Sequence, residues 1–128
     1  MFGLTYEDIK RHYNAFLEKE GLIYAQVILS AGGAMVMHGL RKTTNDLDIE
    51  VPPEHFDKLL NSGKYPIHKF DDVTVIEYSD EIEVHSNLTF KDVINLDNVM
   101  CYSTLSILTQ KLELNREKDQ NDIKILRG

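Results

Sequence analysis

The sequence predicts an α+β fold with α/β-like character, and three observations carry that prediction. Near the start, apolar residues recur at helical spacing at Ile9, Tyr13, Phe16 and Leu17. From Asn45 the pattern switches to period two, with Leu47, Ile49 and Val51 facing one way and Asp46, Asp48 and Glu50 the other. Short apolar segments bounded by glycine, proline and aspartate then alternate with further helical stretches.

Each element follows from local chemistry. Thr5 can cap the first helix, whose first turn holds Glu7 and Asp8 near the positive end of the dipole, and Gly21 closes it. Val27-Ile28-Leu29 is a short β-branched run that fits a buried strand. Ala31-Gly32-Gly33 reads as the turn after it, and Ala34 to His38 as a short helix ending at Gly39. Pro52-Pro53 stops the alternating strand and opens a helix with Phe56, Leu59 and Leu60 as its buried stripe and Gly63 as its end. Three strands are expected next, at Tyr65–Lys69, Val73–Tyr78 and Glu81–His85, with turns at Asp71-Asp72 and Ser79-Asp80. In the last of these, Ile82 and Val84 face the core while Glu81, Glu83 and His85 share the other face. The stretch from Phe90 to Asn95 carries no decisive period. Ser103 can cap a helix with Leu105, Leu108, Leu112 and Leu114 as its apolar residues. Asn115-Arg116 breaks the chain before a last helix from Lys118 to Leu126, with Ile123 and Leu126 inward.

The 128 residues are expected to form one domain, residues 1–128, without repeats or linkers. With 42% hydrophobic and 27% charged residues, the chain can hold a core without staples. Fourteen Lys plus Arg against 21 Asp plus Glu give a net charge of −7, which argues against broad, non-specific nucleic-acid binding. Cys101 stands alone, so no intrachain disulfide forms and a reducing compartment is expected, with the thiol as a small core group. From Gly21 to Leu40 there is no charged residue, a length that could span a bilayer. Gln26, Ser30, His38 and the adjacent glycines punctuate that stretch as a strand and a helix instead. The start of the chain carries Glu7 and Asp8 and lacks a basic region before an apolar one, so no signal peptide is read. The expectation is a cytoplasmic protein with no membrane association.

The chemistry lies in a fixed order of parts: strand, Gly-Gly, short helix, Gly39, Arg41, Thr43-Thr44, then Asp46-Leu47-Asp48. Two carboxylates on one strand face repel unless a cation or hydrogen bonds lie between them. Mg²⁺ commonly takes one or two carboxylates plus substrate phosphates. A third carboxylate on a neighbouring strand would complete a site for two metals about 3.5–4 Å apart, and Glu83 is the candidate. Glycines opening a helix offer backbone N–H groups to a phosphate. Taken alone, an Asp-x-Asp is more often the solvated face of a sheet, and a Gly-Gly an ordinary turn; the signal is in the combination. Pro52-Pro53 in the segment after Asp46 excludes an EF-hand, and no Gly-Lys-Ser/Thr follows the glycines to make a P-loop.

Ser30-Ala31-Gly32-Gly33-Ala34, followed by His38-Gly39-Leu40-Arg41-Lys42-Thr43-Thr44-Asn45-Asp46-Leu47-Asp48-Ile49, resembles the signature of the nucleotidyltransferase superfamily. The likeness is greatest to small bacterial and phage members, including abortive-infection and toxin–antitoxin types. It extends to Leu108, Lys111, Leu112, Arg116-Glu117-Lys118-Asp119 and Asp122-Ile123, and so covers residues 24 to 127.

The resemblance implies a minimal nucleotidyltransferase fold, a small mixed sheet with helices packed on one side. It implies that Asp46 and Asp48 bind two Mg²⁺ ions, with Glu83 as the third acid that helps deprotonate an acceptor hydroxyl. Gly32 and Gly33, with Ser30 nearby, would approach the phosphates of an NTP; Arg41 and Thr44 would contact phosphate, and Lys111 and Lys118 would neutralise the triphosphate. For the two lysines the alternative is a solvated helix face paired with acids. Two departures stand out: many members have Ser where Gly33 stands, and commonly Asp where Glu83 stands.

Asp119 and Asp122 are expected to orient Lys or Arg or to cap the last helix, and His38 to be packed or hydrogen-bonded. His85, on the strand face of Glu83, has the better claim to the site. The implied reaction transfers a nucleoside monophosphate to an acceptor hydroxyl with release of pyrophosphate. The acceptor can be a protein side chain, a tRNA end or a small molecule. The net charge disfavours tRNA, leaving a partner protein slightly preferred. A partner or a second copy in a homodimer would complete the open acceptor side. The alternative is a catalytically silent module of the same fold that binds a nucleotide or a protein partner.

Overall fold

The computed structural model describes residues 3–70, 72–87 and 92–128. Helix α1 (Tyr6–Glu20) starts at a reciprocal cap between Thr5 and Asp8 and ends at Gly21, whose φ of 68° reverses the chain. A 3₁₀ turn (Tyr24–Gln26) leads to strand β1 (Ile28–Ser30), helix α2 (Ala31–Met37), strand β2 (Leu47–Val51) and helix α3 (Pro53–Asn61). Strands β3 (Ile67–Phe70), β4 (Val73–Glu77), β5 (Ile82–Ser86), β6 (Val93–Leu96) and β7 (Val99–Tyr102) follow. Helix α4 (Thr104–Leu114), a second 3₁₀ turn (Glu117–Asp119) and helix α5 (Gln120–Arg127) close the chain.

The strands form one mixed sheet in the order β3-β4-β5-β2-β1-β7-β6. β2 runs parallel to β5 and β1 parallel to β7, while the other neighbours are antiparallel. Alternation in β2 buries Leu47, Ile49 and Val51 and leaves Asp48 and Glu50 half-buried on the opposite face. The apolar face joins one core with Ile9, Tyr13 and Phe16 of α1, Ala34 to Met37 of α2, Phe56 and Leu59 of α3, and Ile107 of α4. Helices thus pack against the apolar side, as a mixed sheet with one acidic face requires. Gly33 is where α2 rests on the sheet: a Cβ there would lie 3.0 Å from Leu29 Cδ1 and 3.1 Å from Leu47 Cδ2. Tyr13 ties α1 to the sheet, donating from its hydroxyl to the Val27 carbonyl at 2.7 Å and accepting from Met100 N–H at 3.3 Å.

Several expectations need correction. Gly32 and Gly33 lie in the first turn of α2, not in a turn before it, because Ala31 makes the strand-to-helix reversal in one residue with φ 52°. β2 begins at Leu47, so Asp46 stands just before the strand rather than within it. A β6–β7 hairpin occupies 93–102, which includes the end of the stretch from Phe90 to Asn95 that carries no decisive period in the sequence. Its two-residue turn, Asp97-Asn98, has φ 55° and 66°, the left-handed pair of a type I′ hairpin. On α4 the buried residues are Ser106, Ile107 and Lys111, while Leu105, Leu112 and Leu114 are exposed. Ser106 Oγ donates to the Asp92 carbonyl and Lys111 pairs with acids near α5, which turns that polar face inward. The expected turn residue Asp71, and Phe90 and Lys91 of the undecided segment, lie outside the described residues. Among the described residues no helix is long and apolar enough to cross a membrane. Cys101 is fully buried, and burial pushes its thiol up to about 12.

Candidate metal and nucleotide site

The parallel register of β2 and β5 sets Asp48 opposite Glu83 and Glu50 opposite His85. Because Ile82 and Val84 must face the core, Glu83 and His85 share the other face, alongside Asp48. One donor atom from each of Asp48, Glu83 and His85 lies within 4.8 Å of the others. His85 Nε2 is 3.1 Å from Asp48 Oδ1, with both side chains about one-quarter exposed. The next carboxylate along β2, Glu50, accepts a hydrogen bond from the Tyr102 hydroxyl. Sequence alternation pointed to His85 but did not make it a ligand; the signal was its position two residues beyond Glu83.

The electrostatics follow from crowding acids at a half-buried face. Burial and then repulsion by Asp48 hold the Glu83 carboxyl above the ordinary carboxylate range. Burial and the Asp48 charge likewise raise Asp46. Asp48 goes the other way: burial pushes it up, but the hydrogen bond and charge of His85 outweigh that and hold it below its usual value. For His85, burial pulls down while the bond to Asp48 and the charges of Asp48, Glu50 and Glu83 raise it overall.

Asp46 is not part of the close group, though it feels the charge of Asp48 and its own charge is felt by Glu83. Arg41 and Lys118 are near enough to Asp46 to favour its ionised form, and Lys111 does the same for Asp48. Gly32 sits beneath Arg41 and Thr44: a Cβ there would be 2.6 Å from Thr44 Oγ1 and 3.0 Å from Arg41 Nη1. Thr44 Oγ1 donates to the Asp46 carbonyl at 3.2 Å, and its backbone pairs with Leu4. Ser30 Oγ donates to the Asp48 carbonyl at 3.1 Å, strapping β1 to β2. Both hydroxyls therefore position the acidic segment through its backbone, and Gly33 faces Leu29 and Leu47.

Lys111 is buried, so it is not on a solvated helix face. Its ammonium lies 3.2 Å from Asp122 Oδ2 and 3.5 Å from Asp119 Oδ1. Arg116 Nε holds Asp119 Oδ2 at 2.6 Å, and Arg41 Nη1 reaches Asp122 Oδ2 at 3.7 Å. Asp119 and Asp122 thus orient three cations, of which Arg41 acts on Asp46 and Lys111 on Asp48. Lys118 is exposed. His38 Nε2 pairs with the Tyr102 carbonyl at 2.8 Å, so this histidine is hydrogen-bonded to the backbone of β7.

The donor set fits a divalent cation. Two carboxylates and one imidazole, set close enough to share an ion and carrying unbalanced negative charge with Asp46, are groups that metals take in proteins. Arg41 and Lys111, paired with Asp122, are cations whose charge reaches Asp46 and Asp48 respectively.

No protein-family model and no curated protein matches the sequence. A structure of a cytoplasmic RNA terminal U-transferase aligns at a TM-score of 0.44 and 11% identity, over 84% of this chain and 31% of that one. A crystal structure of ANT(2'')-Ia in complex with adenylyl-2''-tobramycin aligns at a TM-score of 0.62 and 14% identity, over 94% of this chain and 87% of that one. At that identity the likeness is one of architecture: this chain has the fold of ANT(2'')-Ia.

Proposed function

We propose that this chain transfers a nucleoside monophosphate from an NTP to an acceptor hydroxyl. The observation that carries the reading is the pairing of Asp48 with Glu83 across parallel strands, beside the cations Arg41 and Lys111. In the proposed step the acceptor oxygen bonds to the α-phosphorus and the bond from that phosphorus to the bridging oxygen of pyrophosphate breaks. The acceptor's proton passes to a Glu83 carboxylate oxygen, made more basic than usual by burial and by Asp48. Asp48 and Glu83, with Asp46 and His85 at their side, would hold a divalent cation, which when bound neutralises phosphate charge and favours the ionised acceptor. Arg41 and Lys111 would bind the triphosphate, with Lys111 held in position by Asp119 and Asp122. Support for the chemistry comes from the shared fold with ANT(2'')-Ia, whose crystal structure holds a nucleotidylated small molecule.

For the acceptor we prefer a protein side chain, since a net charge of −7 and an acidic face repel a polyanion such as tRNA. Calorimetry with each NTP and a divalent cation, on wild type and on Asp46→Asn/Asp48→Asn, tests the reading. Binding that needs both the cation and the aspartates supports it; absence of binding by any NTP overturns it. Pyrophosphate release with protein, tRNA and small-molecule acceptors then separates turnover from a silent nucleotide-binding module.

A further inference from the structure

The histidine in the acidic group changes what cation the site should select. Glu83 and His85 stand two residues apart on β5, so both side chains leave the sheet on the same face. Asp48 stands directly across from Glu83 on β2. Their three donor atoms fall within 4.8 Å of one another, close enough to meet one ion. The two acids that would make an all-oxygen site with Asp48 are otherwise placed. Asp46 precedes the strand and is outside the close group, and Glu50 is hydrogen-bonded by Tyr102.

We propose that His85 is a direct metal ligand, and that with Asp48 and Glu83 it forms a mixed nitrogen–oxygen site that prefers a first-row transition dication such as Mn²⁺ to Mg²⁺. The inference deepens the transfer reading and rests on it for the cation's role. Mg²⁺ is a hard ion that favours oxygen donors and gives up water reluctantly. An imidazole nitrogen is a borderline donor that transition ions accept far more readily. Binding a cation replaces the present contact between His85 Nε2 and Asp48 Oδ1, since the nitrogen must present a lone pair and not a proton. The competing role is that His85 keeps donating to Asp48 and only orients that carboxylate. The two roles differ in whether nitrogen touches the ion.

The test uses the full chain without nucleotide. Mn²⁺ and Mg²⁺ are titrated separately by calorimetry, and the Mn²⁺-loaded protein is examined by pulsed electron paramagnetic resonance for coupling to an imidazole nitrogen. Expected are tighter binding of Mn²⁺ than of Mg²⁺ and a nitrogen coupling that disappears in His85→Asn. In that variant Mn²⁺ affinity falls by at least roughly tenfold and the preference over Mg²⁺ narrows. Mn²⁺ bound without nitrogen coupling in the wild type overturns the proposal, as does failure of Mn²⁺ to bind. The wild-type spectrum decides the matter even if the variant folds poorly. NTP binding measured on the same protein keeps the two readings apart. Nitrogen coupling without nucleotide binding leaves the metal site standing and sinks the transfer reading. Nucleotide binding with a coupling-free Mn²⁺ spectrum does the reverse.

Discussion

Lys111 Nζ lies 3.2 Å from Asp122 Oδ2, joining α4 to α5 through a charge pair whose side chains are 8% and 14% exposed. This contact, with Asp119 also paired to the ammonium, fixes the C-terminal segment to α4. Removing one member of such a pair strands the rest in a poorly solvated place. Lys111→Met is therefore expected to destabilise the fold by about 3 kcal/mol, seen as a lower urea midpoint at unchanged slope. NTP affinity should fall as well, because Asp119 and Asp122 then add uncompensated negative charge near the phosphates.

Asp119 provides a pH signature of the same network. Burial alone would raise its carboxyl, but the Arg116 hydrogen bond and the Lys111 charge outweigh that and hold it below its ordinary value. A carboxyl depressed in the folded state stabilises the fold above its unfolded value near ~3.9 and loses that contribution as pH falls toward the folded value. Urea unfolding from pH 7 downward should show the wild type losing stability below about pH 4 more steeply than Asp119→Asn. Equal slopes would mean that the pair is not formed in solution.

Gly32 sits under the hydroxyl that holds Asp46 in place. A Cβ at 32 would come within 2.6 Å of Thr44 Oγ1, which donates to the Asp46 carbonyl. Gly32→Ala should force Thr44 off that carbonyl and cost about 1 kcal/mol in a thermal melt, despite the better helix propensity of Ala. Adding Thr44→Ala removes the clashing oxygen, so the double variant should be no less stable than Thr44→Ala alone. A fully additive pair of losses would show that the two positions do not touch.

Ala31 carries the reversal from β1 to α2 in a left-handed conformation, with φ 52°. For an L-residue with a Cβ this costs roughly 1–2 kcal/mol, partly offset by the lower unfolded-state entropy of Ala. Ala31→Gly is expected to raise stability by about 0.5 kcal/mol, a small upward shift in melting temperature. A drop would indicate that the Ala31 methyl contributes packing that outweighs the strain.

Local chemistry was enough to place most elements. The Thr5 cap, the Gly21 stop, the Pro52-Pro53 punctuation and the alternation of β2 and β5 each depend on residues a few positions apart, and these agree with the structure to within one or two residues. The β6–β7 hairpin was legible too, in Asp97-Asn98, but Asn at the second turn position is a weaker signal than Gly. The leucines of α4 misled because periodicity shows that a helix has an apolar stripe, not that this stripe meets the core. The hydrogen bond from Ser106 to Asp92 and the charge pairing of Lys111 turn the other face inward.

The candidate site divides along the same line. Which residue types are present, and that Asp48, Glu83 and His85 each stand on the face of a strand opposite its core residues, follow from period-two geometry along the chain. That Asp48 pairs with Glu83 and not with another acid is a matter of strand register, set by which apolar side chains interlock beneath the sheet. The tertiary packing also drew His85 against Asp48, left Asp46 outside the close group, and buried Lys111 between two carboxylates from the last turns of the chain. Those contacts join residues separated by 8 to 37 positions. Forming them depends on the net balance of burial, charge pairing and chain entropy over the whole core, which no local window of sequence contains.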